Sequence, residues 1–185
     1  MNEKEKQKAE SRVRILDAAA RLFREDGFSA TGVDALMKEA GLTAGAFYAH
    51  FKSKDELFDK TLEHIFNASA ARLTKGLDLA AGRKTVQEFM TRYVCEGHRD
   101  HPDLGCAIPA IGSEISRHSK KTGAQMSGYL NRWVGLFERN LEGTPRQRRE
   151  EALRLVSQAV GAILLSRMVS GDLSTEILSA GARVK

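Results

Sequence analysis

At 185 residues, with 42% hydrophobic and 29% charged side chains, the chain has apolar content for a sizeable core, in one large domain or in a small module joined to a larger one. The opening MNEKEKQKAESR lacks the apolar stretch of a secretion signal, and the longest apolar run, near Ala159 to Leu165, is far too short to span a bilayer. A soluble cytoplasmic protein with no membrane partner is therefore expected, and two cysteines, Cys95 and Cys106, are too few for a disulfide framework.

The formal net charge of +5 invites a nucleic-acid reading, but residues 1–60 carry eleven Lys plus Arg against eleven Asp plus Glu. Charge alone decides nothing there, so geometry has to carry any such claim. What the segment does have is asymmetry, with Lys4, Lys6, Lys8, Arg12 and Arg14 at the start and Lys52 and Lys54 near its end.

The periodicity is helical throughout, without sustained period-two alternation, which predicts an all-α fold. Val13, Leu16, Ala20 and Phe23 recur at helical spacing in a first helix of about residues 8–26, stopped by Gly27. A second helix of about residues 33–40 turns Val33, Leu36, Met37 and Ala40 inward and ends at Gly41, and a third runs over about 44–51. Ser53, with Glu56 three residues on, reads as a capping box opening a long helix whose apolar face runs through Leu57, Phe58, Leu62, Ile65 and Phe66. Later helices are expected at about 84–99, 103–117, 122–142 and 146–170, the last opened by Thr144, Pro145 and Gln147. With no repeat and no low-complexity linker, the expected division is a head of residues 1–53 and a larger helical part of residues 54–185, joined through the helix that begins at Ser53.

The stretch TGVDALMKEAGLTAGAFYAHFKSKDELF, Thr31 to Phe58, places a glycine where two short helices meet. A helix-turn-helix needs positive φ at its turn, which glycine adopts without a Cβ penalty. Leu42 plugs the angle between the helices, and Phe47 and Phe51, four apart, dock the third helix on the first two. The outward arc is then Thr43, Ala44, Gly45, Ala46, Tyr48, Ala49 and His50, small enough for close approach to DNA. Thr43 is suited to cap the helix and present its N-terminus to a phosphate, and Tyr48 to donate a phenolic hydrogen bond to one.

Gly41-Leu42-Thr43, Gly45, Phe47-Tyr48, His50-Phe51 and Lys54, followed by Leu57-Phe58, resemble in order and spacing the DNA-binding signature of TetR/AcrR-type transcriptional regulators. The resemblance covers about the first third of the chain. It implies an all-α homodimer with a three-helix DNA-binding head and a larger part that binds a small-molecule effector and dimerises. Thr31, Thr43, Gly45, Tyr48, His50 and Lys54 match positions that usually contact DNA, mostly at phosphates, and Ala44 lies on the same face. Met37 stands where the family usually has alanine, and Ala44 and Ala46 where larger polar residues are common. Specificity is then expected to lean on methyl contacts and DNA shape. The partner implied is double-stranded DNA with a near-palindromic operator, met by two heads about 34–36 Å apart.

In the second part, Met126 to Leu141 and Ala152 to Val169 carry apolar residues around more than one helix face. One stripe serves the protomer's own core. The other fits the four-helix dimer interface that the resemblance implies, with Leu130, Phe137, Val156, Ala159 and Ile163 as candidates, although both stripes could also be internal. An effector pocket is sought among Phe66, Phe89, Met90, Tyr93, Ile111, Met126 and Trp133, residue types that equally serve as plain core.

The run CEGHRDHPDLGC, Cys95 to Cys106, admits three readings. Cys95, His98, His101 and Cys106 are zinc-competent, but Pro102 disfavours helical geometry at His101 and the spacing drifts around a helix, so no metal or other cofactor is assigned. Cys106 is a candidate thiol sensor, in a GCAIPAIGSEI segment resembling one found in several family members, if His98, His101 or Arg99 lower its pKa. The favoured reading of Cys106 is a small buried residue packing at a helix start. No phosphate-binding loop, nucleophile elbow or two-His zinc motif points to an enzyme. The expected function is a dimeric DNA-binding repressor released by a small molecule or by cysteine modification. The rivals are a helical protein-interaction adaptor and a thiol enzyme using Cys106.

Overall fold

The computed structural model describes residues 2–184, and those residues form helices with no strand. Asn2 opens α1 (Glu3–Asp26) by a reciprocal capping box, Asn2 Oδ1 accepting the Glu5 amide at 2.8 Å and Glu5 accepting the Asn2 amide at 2.9 Å. The helix thus begins well before its first apolar residue, because the cap and not the core sets its start. Gly27, at φ +90°, ends it.

Next come α2 (Val33–Glu39), a 3-10 helix (Ala44–Ala49) and α3 (Lys54–Thr74). Gly41 lies between α2 and the 3-10 helix at φ +63°, as the turn requires. At the start of α3, Ser53 Oγ accepts the Glu56 amide at 3.1 Å, while Glu56 accepts the amide of Lys52 at 2.8 Å instead of that of Ser53. The expected box therefore closes one residue earlier.

Beyond α3 run α4 (Arg83–Tyr93), α5 (Glu96–Asp100), α6 (Ile108–His118), α7 (Lys120–Asn140), α8 (Pro145–Met168) and α9 (Asp172–Gly181). The single helix expected over 84–99 breaks at Val94 and Cys95. The Tyr93 carbonyl meets the His98 imidazole Nδ1 at 2.7 Å, so a side chain holds an oxygen that a continuous helix would bond to backbone. The helix expected from 103 starts at Ile108, with Pro109 in its first turn, and only a 3-10 turn occupies Pro102–Leu104. At Thr144 the capping box forms as expected, the Thr144 amide reaching Gln147 at 2.9 Å. Helix α9 is an addition to the expected set.

Helix α1 packs chiefly on α3 and α2, and α8 on α9 and α7. One apolar core runs through both ends of the molecule, from Phe23, Phe47 and Phe51 through Phe58 and Leu62 to Phe89, Phe137 and Ile163. Burying each such ring or branched chain contributes about 1.5–3 kcal/mol, which is why α3, contributing Leu57 to Leu73, can tie the two ends together. Asp59, buried on α3, accepts Lys121 Nζ at 2.6 Å and Thr122 Oγ1 at 2.8 Å in the first turn of α7. Burial alone would raise its pKa, but these two bonds outweigh it and hold the carboxyl below its usual range.

Candidate DNA-binding face and ligand cavity

Phe47 and Phe51 are fully buried and anchor the 3-10 helix, as their spacing predicts. Thr43, Ala44, Gly45, Tyr48 and Ala49 are exposed on its outer side, and Tyr48 is 73% accessible. Thr43 makes no side-chain cap to the helix backbone, so the capping role expected for it does not occur. Two arginines of α1 that the sequence reading left unassigned brace this element. Arg12 Nη1 donates to the His50 carbonyl at 2.6 Å with its guanidinium 4.3 Å over the Phe51 ring, and Arg14 Nη2 donates to the Gly41 carbonyl at 3.1 Å. The available signal was two basic residues, two apart, on the helix that carries the buried Ile15 and Ala19.

Two of the residues expected to contact DNA, Thr31 and Lys54, have side chains bonded inside the head. Thr31 is buried, its hydroxyl donating to the Gly27 carbonyl at 2.7 Å. Lys54 Nζ donates to the Phe28 carbonyl at 2.5 Å and lies 4.3 Å over the Phe28 ring, with burial lowering its pKa. His50 is half-buried, burial followed by Lys8 and Arg12 lowers its pKa, and its ring Nδ1 is buried without a partner. Met37 is fully buried.

The other end of the molecule contains a cavity of about 270 Å³ between α3, α4 and α7. Of the expected pocket residues, Phe66, Phe89, Tyr93 and Trp133 line it, joined by Tyr129, Ile108 and Cys106. Met90, Ile111 and Met126 do not line it and are buried in the surrounding core. The walls are aromatic: Phe66 stacks on Tyr129 at 4.6 Å, and the Trp133 ring lies 4.8 Å from that of Tyr93.

The cysteine-histidine run resolves into a latch. His98 is buried, and Cys106 donates its amide to His98 Nε2 at 3.0 Å while Nδ1 faces the Tyr93 carbonyl. Those two bonds require a neutral ring, and burial lowers its pKa to about 4. Gly105 allows this approach, since a Cβ there would lie 2.5 Å from the imidazole. Arg24, Arg72 and Arg167 converge on the same loop, donating to the carbonyls of Gly105, Leu104 and His98. Cys106 is buried, and burial raises its pKa even though the Ile108 amide, Tyr93, Arg24 and Arg167 pull the other way. The activating groups expected for it, His101 and Arg99, are not among the causes, and His98 is neutral. Among the described residues no group of three or more His, Cys, Asp or Glu is placed to hold a metal ion.

The expected interface residues Phe137, Val156, Ala159 and Ile163 are all buried within one chain, and Leu130 lines the cavity. These residues fill the protomer's own core because α7, α8 and α9 pack on one another. Exposed apolar side chains gather instead at the end of α8 and the start of α9, at Leu164, Leu165, Met168, Val169 and Leu173, while Val13, Tyr48, Leu79, Leu104 and Leu153 are exposed elsewhere. No helix among the described residues is long and apolar enough to cross a membrane.

An all-α fold with a helix-turn-helix whose glycine turn and exposed 3-10 helix are braced from α1 defines a DNA-binding protein. Residues 15–61 match the sequence family described as bacterial regulatory proteins, tetR family. The HTH-type transcriptional regulator LmrA of Bacillus subtilis is 28% identical over 165 residues, covering 85% of this chain and 86% of that protein. The HTH-type transcriptional regulator AcrR of Shigella flexneri is 48% identical over 64 residues, 34% of this chain and 30% of that one. The solved structure of a TetR transcriptional regulator from Chloroflexus aurantiacus superposes with a TM-score of 0.79 at 20% identity, over 96% of this chain and 94% of its own, a likeness of fold. By the sequence of its head and by its fold, the chain is similar to TetR-family DNA-binding transcriptional regulators.

Proposed function

We propose that the protein acts in the cytoplasm as a homodimeric repressor that grips a near-palindromic operator through two heads and lets go when the cavity is occupied or its wall is modified at Cys106. In this reading residues 1–53 form the DNA-binding head and residues 54–185 the effector-binding and dimerising part. Thr43, Ala44, Gly45 and Tyr48 face DNA, while Thr31, His50 and Lys54 hold the face in shape. The exposed patch Leu165, Met168 and Leu173 is the dimer contact, adjoining chains burying what one chain leaves open.

The observation that carries the release mechanism is the reach of α6. Ile108, at its start, lines the cavity. Glu114, near its end, accepts the Phe28 amide at 2.6 Å and the Ser29 amide at 3.3 Å, in the loop between α1 and α2. Between them Ile111 departs from helical geometry, at φ −128° and ψ 22°. A ligand that displaces the first turn of α6 would therefore shift the segment clamped to the head. Release follows if the ligand binds the displaced state more tightly. The two routes of release meet at one place, because Cys106 belongs to the cavity wall and a modifying reagent would have to enter the same space.

The test is a titration of fluorescent DNA from the gene's own upstream region at fixed salt, with and without excess nonspecific competitor. Binding that survives competitor, and is lost on adding a cavity ligand, is expected. Binding erased by competitor on every fragment of a randomised duplex pool would refute a sequence-specific repressor. Cys106→Ser separates the two routes: it should abolish release by thiol reagents and leave release by unreactive ligands intact.

A further inference from the structure

Two buried hydrogen-bond donors in the cavity wall have no acceptor. The Tyr93 hydroxyl and the Trp133 indole Nε1–H are both inaccessible and unpartnered, while both residues line the cavity. Tyr93 is 1% exposed, so water cannot satisfy its hydroxyl from outside, and an unmade bond in such a place is costly. The Cys106 sulfur lies against the Tyr93 hydroxyl, a weak acceptor close enough to shift the titration of both groups, but the contact falls short of ordinary hydrogen-bond geometry and leaves the hydroxyl without a strong acceptor. Behind this wall stand the guanidinium groups of Arg24 and Arg167, each also with a buried N–H lacking a partner. Their charges reach Cys106, and that of Arg167 reaches Tyr93, so the deep end of the cavity is electropositive.

Donors without acceptors, in a positive field, call for an acceptor from the ligand. The flanking surfaces are ring faces, Phe66 on Tyr129 and Phe89 against Trp133 at 5.5 Å, which favour a flat π-system between them. The volume of about 270 Å³ sits at the small end of ligand sites. The groups that line the deep end, Tyr93, Trp133 and Cys106, carry no charge, and the two guanidiniums stand behind them and already donate to the Gly105 and His98 carbonyls, so an uncharged acceptor meets the free donors without the cost of burying an ion. The arginines that line the cavity, Arg132 and Arg139, are exposed, and Arg132 is committed to the Tyr129 ring at 4.4 Å.

We infer that the effector is a neutral aromatic molecule of one or two rings carrying a carbonyl-type oxygen, which accepts hydrogen bonds from the Tyr93 hydroxyl and the Trp133 indole. The inference rests on the reading of this cavity as the effector site and names the chemistry that site selects.

Trp133 is the only tryptophan of the chain, so its fluorescence reports occupancy directly. The experiment titrates the full-length protein with 2-acetylnaphthalene, with its hydrocarbon counterpart 2-isopropylnaphthalene and with 2-naphthoate, by fluorescence and by calorimetry. The ketone should bind roughly 3- to 10-fold more tightly than the hydrocarbon, the worth of one neutral hydrogen bond, and more tightly than the carboxylate. In Tyr93→Phe, which removes only the unpartnered hydroxyl, the preference for ketone over hydrocarbon should shrink while hydrocarbon affinity holds. Equal affinity for ketone and hydrocarbon in the unaltered protein overturns the acceptor assignment and leaves the cavity a ligand site. Tighter binding of the carboxylate overturns the neutral class. No binding of any probe overturns the cavity itself as an effector site, and with it the reading beneath. The unaltered protein decides each of these outcomes even if the variant fails to fold.

Discussion

The carboxylate of Glu114 accepts the backbone amide of Phe28 at 2.6 Å across 86 residues of sequence, fastening α6 to the loop between α1 and α2. The same contact is reinforced by His118, which pairs with Asp55 at 3.3 Å and sets its ring edge-on to Phe28 at 4.9 Å. Glu114→Ala should cost about 1–3 kcal/mol, the range for a charge-assisted bond to a backbone amide, and should lose amide-exchange protection at Phe28 and Ser29. Unaltered protection at those two amides would rule out the clamp.

Tyr48 is exposed and holds no core position, so Tyr48→Phe should leave the melting temperature within error. Operator affinity should fall roughly 3- to 10-fold, the loss of one hydrogen bond to a phosphate. An unchanged affinity would remove the phenol from the interface.

Arg12 acts differently, because its guanidinium is spent on the His50 carbonyl and the Phe51 ring. Arg12→Lys should weaken operator binding by loosening the 3-10 helix, since an ammonium reproduces neither the planar fork nor the stacking. The slope of log affinity against log salt should stay the same. A slope smaller by about one would mean that Arg12 touches a phosphate directly.

Leu165→Arg or Met168→Glu should convert the proposed dimer to monomers in sedimentation, because each puts a charge into the exposed apolar patch at the α8–α9 corner. Operator binding should fall far more than folding stability does. A variant that stays dimeric would move the interface elsewhere.

His98 predicts a pH dependence. Its folded pKa of about 4 lies below the unfolded value of about 6.5, so between these the unfolded chain binds the extra proton. Stability contributed by the neutral imidazole is complete above pH ~6.5 and is lost as pH falls toward ~4, by about 3 kcal/mol in all. Urea unfolding at pH 7 and pH 4.5 should show the loss, and His98→Gln, which does not titrate, should flatten it. Half-buried His50, whose pKa is lowered too, adds a smaller slope of the same sign and remains in both proteins. Equal slopes with and without His98 would count against the latch.

The division between what the chain announces and what folding decides is visible residue by residue. Local rules were enough for the head, with Gly41 at a positive φ, Phe47 and Phe51 four apart and Ser53 as a cap, and for the Thr144 cap of α8, each a matter of backbone sterics or of near neighbours in sequence. The same rules supplied the helical class and four of the cavity's lining residues.

They could not tell which donors find partners far along the chain. Lys54 looked free for a phosphate until Phe28 came beside it, and Thr31 until the Gly27 carbonyl took its hydroxyl. Val156 and Ile163 looked like an interface until α7 and α9 covered them. Their apolar stripe reads the same whether a neighbouring helix comes from the same chain or another. The break after Tyr93 arose because His98, five residues on, offers a better partner for a carbonyl than the helix does. Periodicity records how hydrophobic a face is. Only the packed structure decides what lies against it, because burial and hydrogen-bond satisfaction are set by residues distant in sequence.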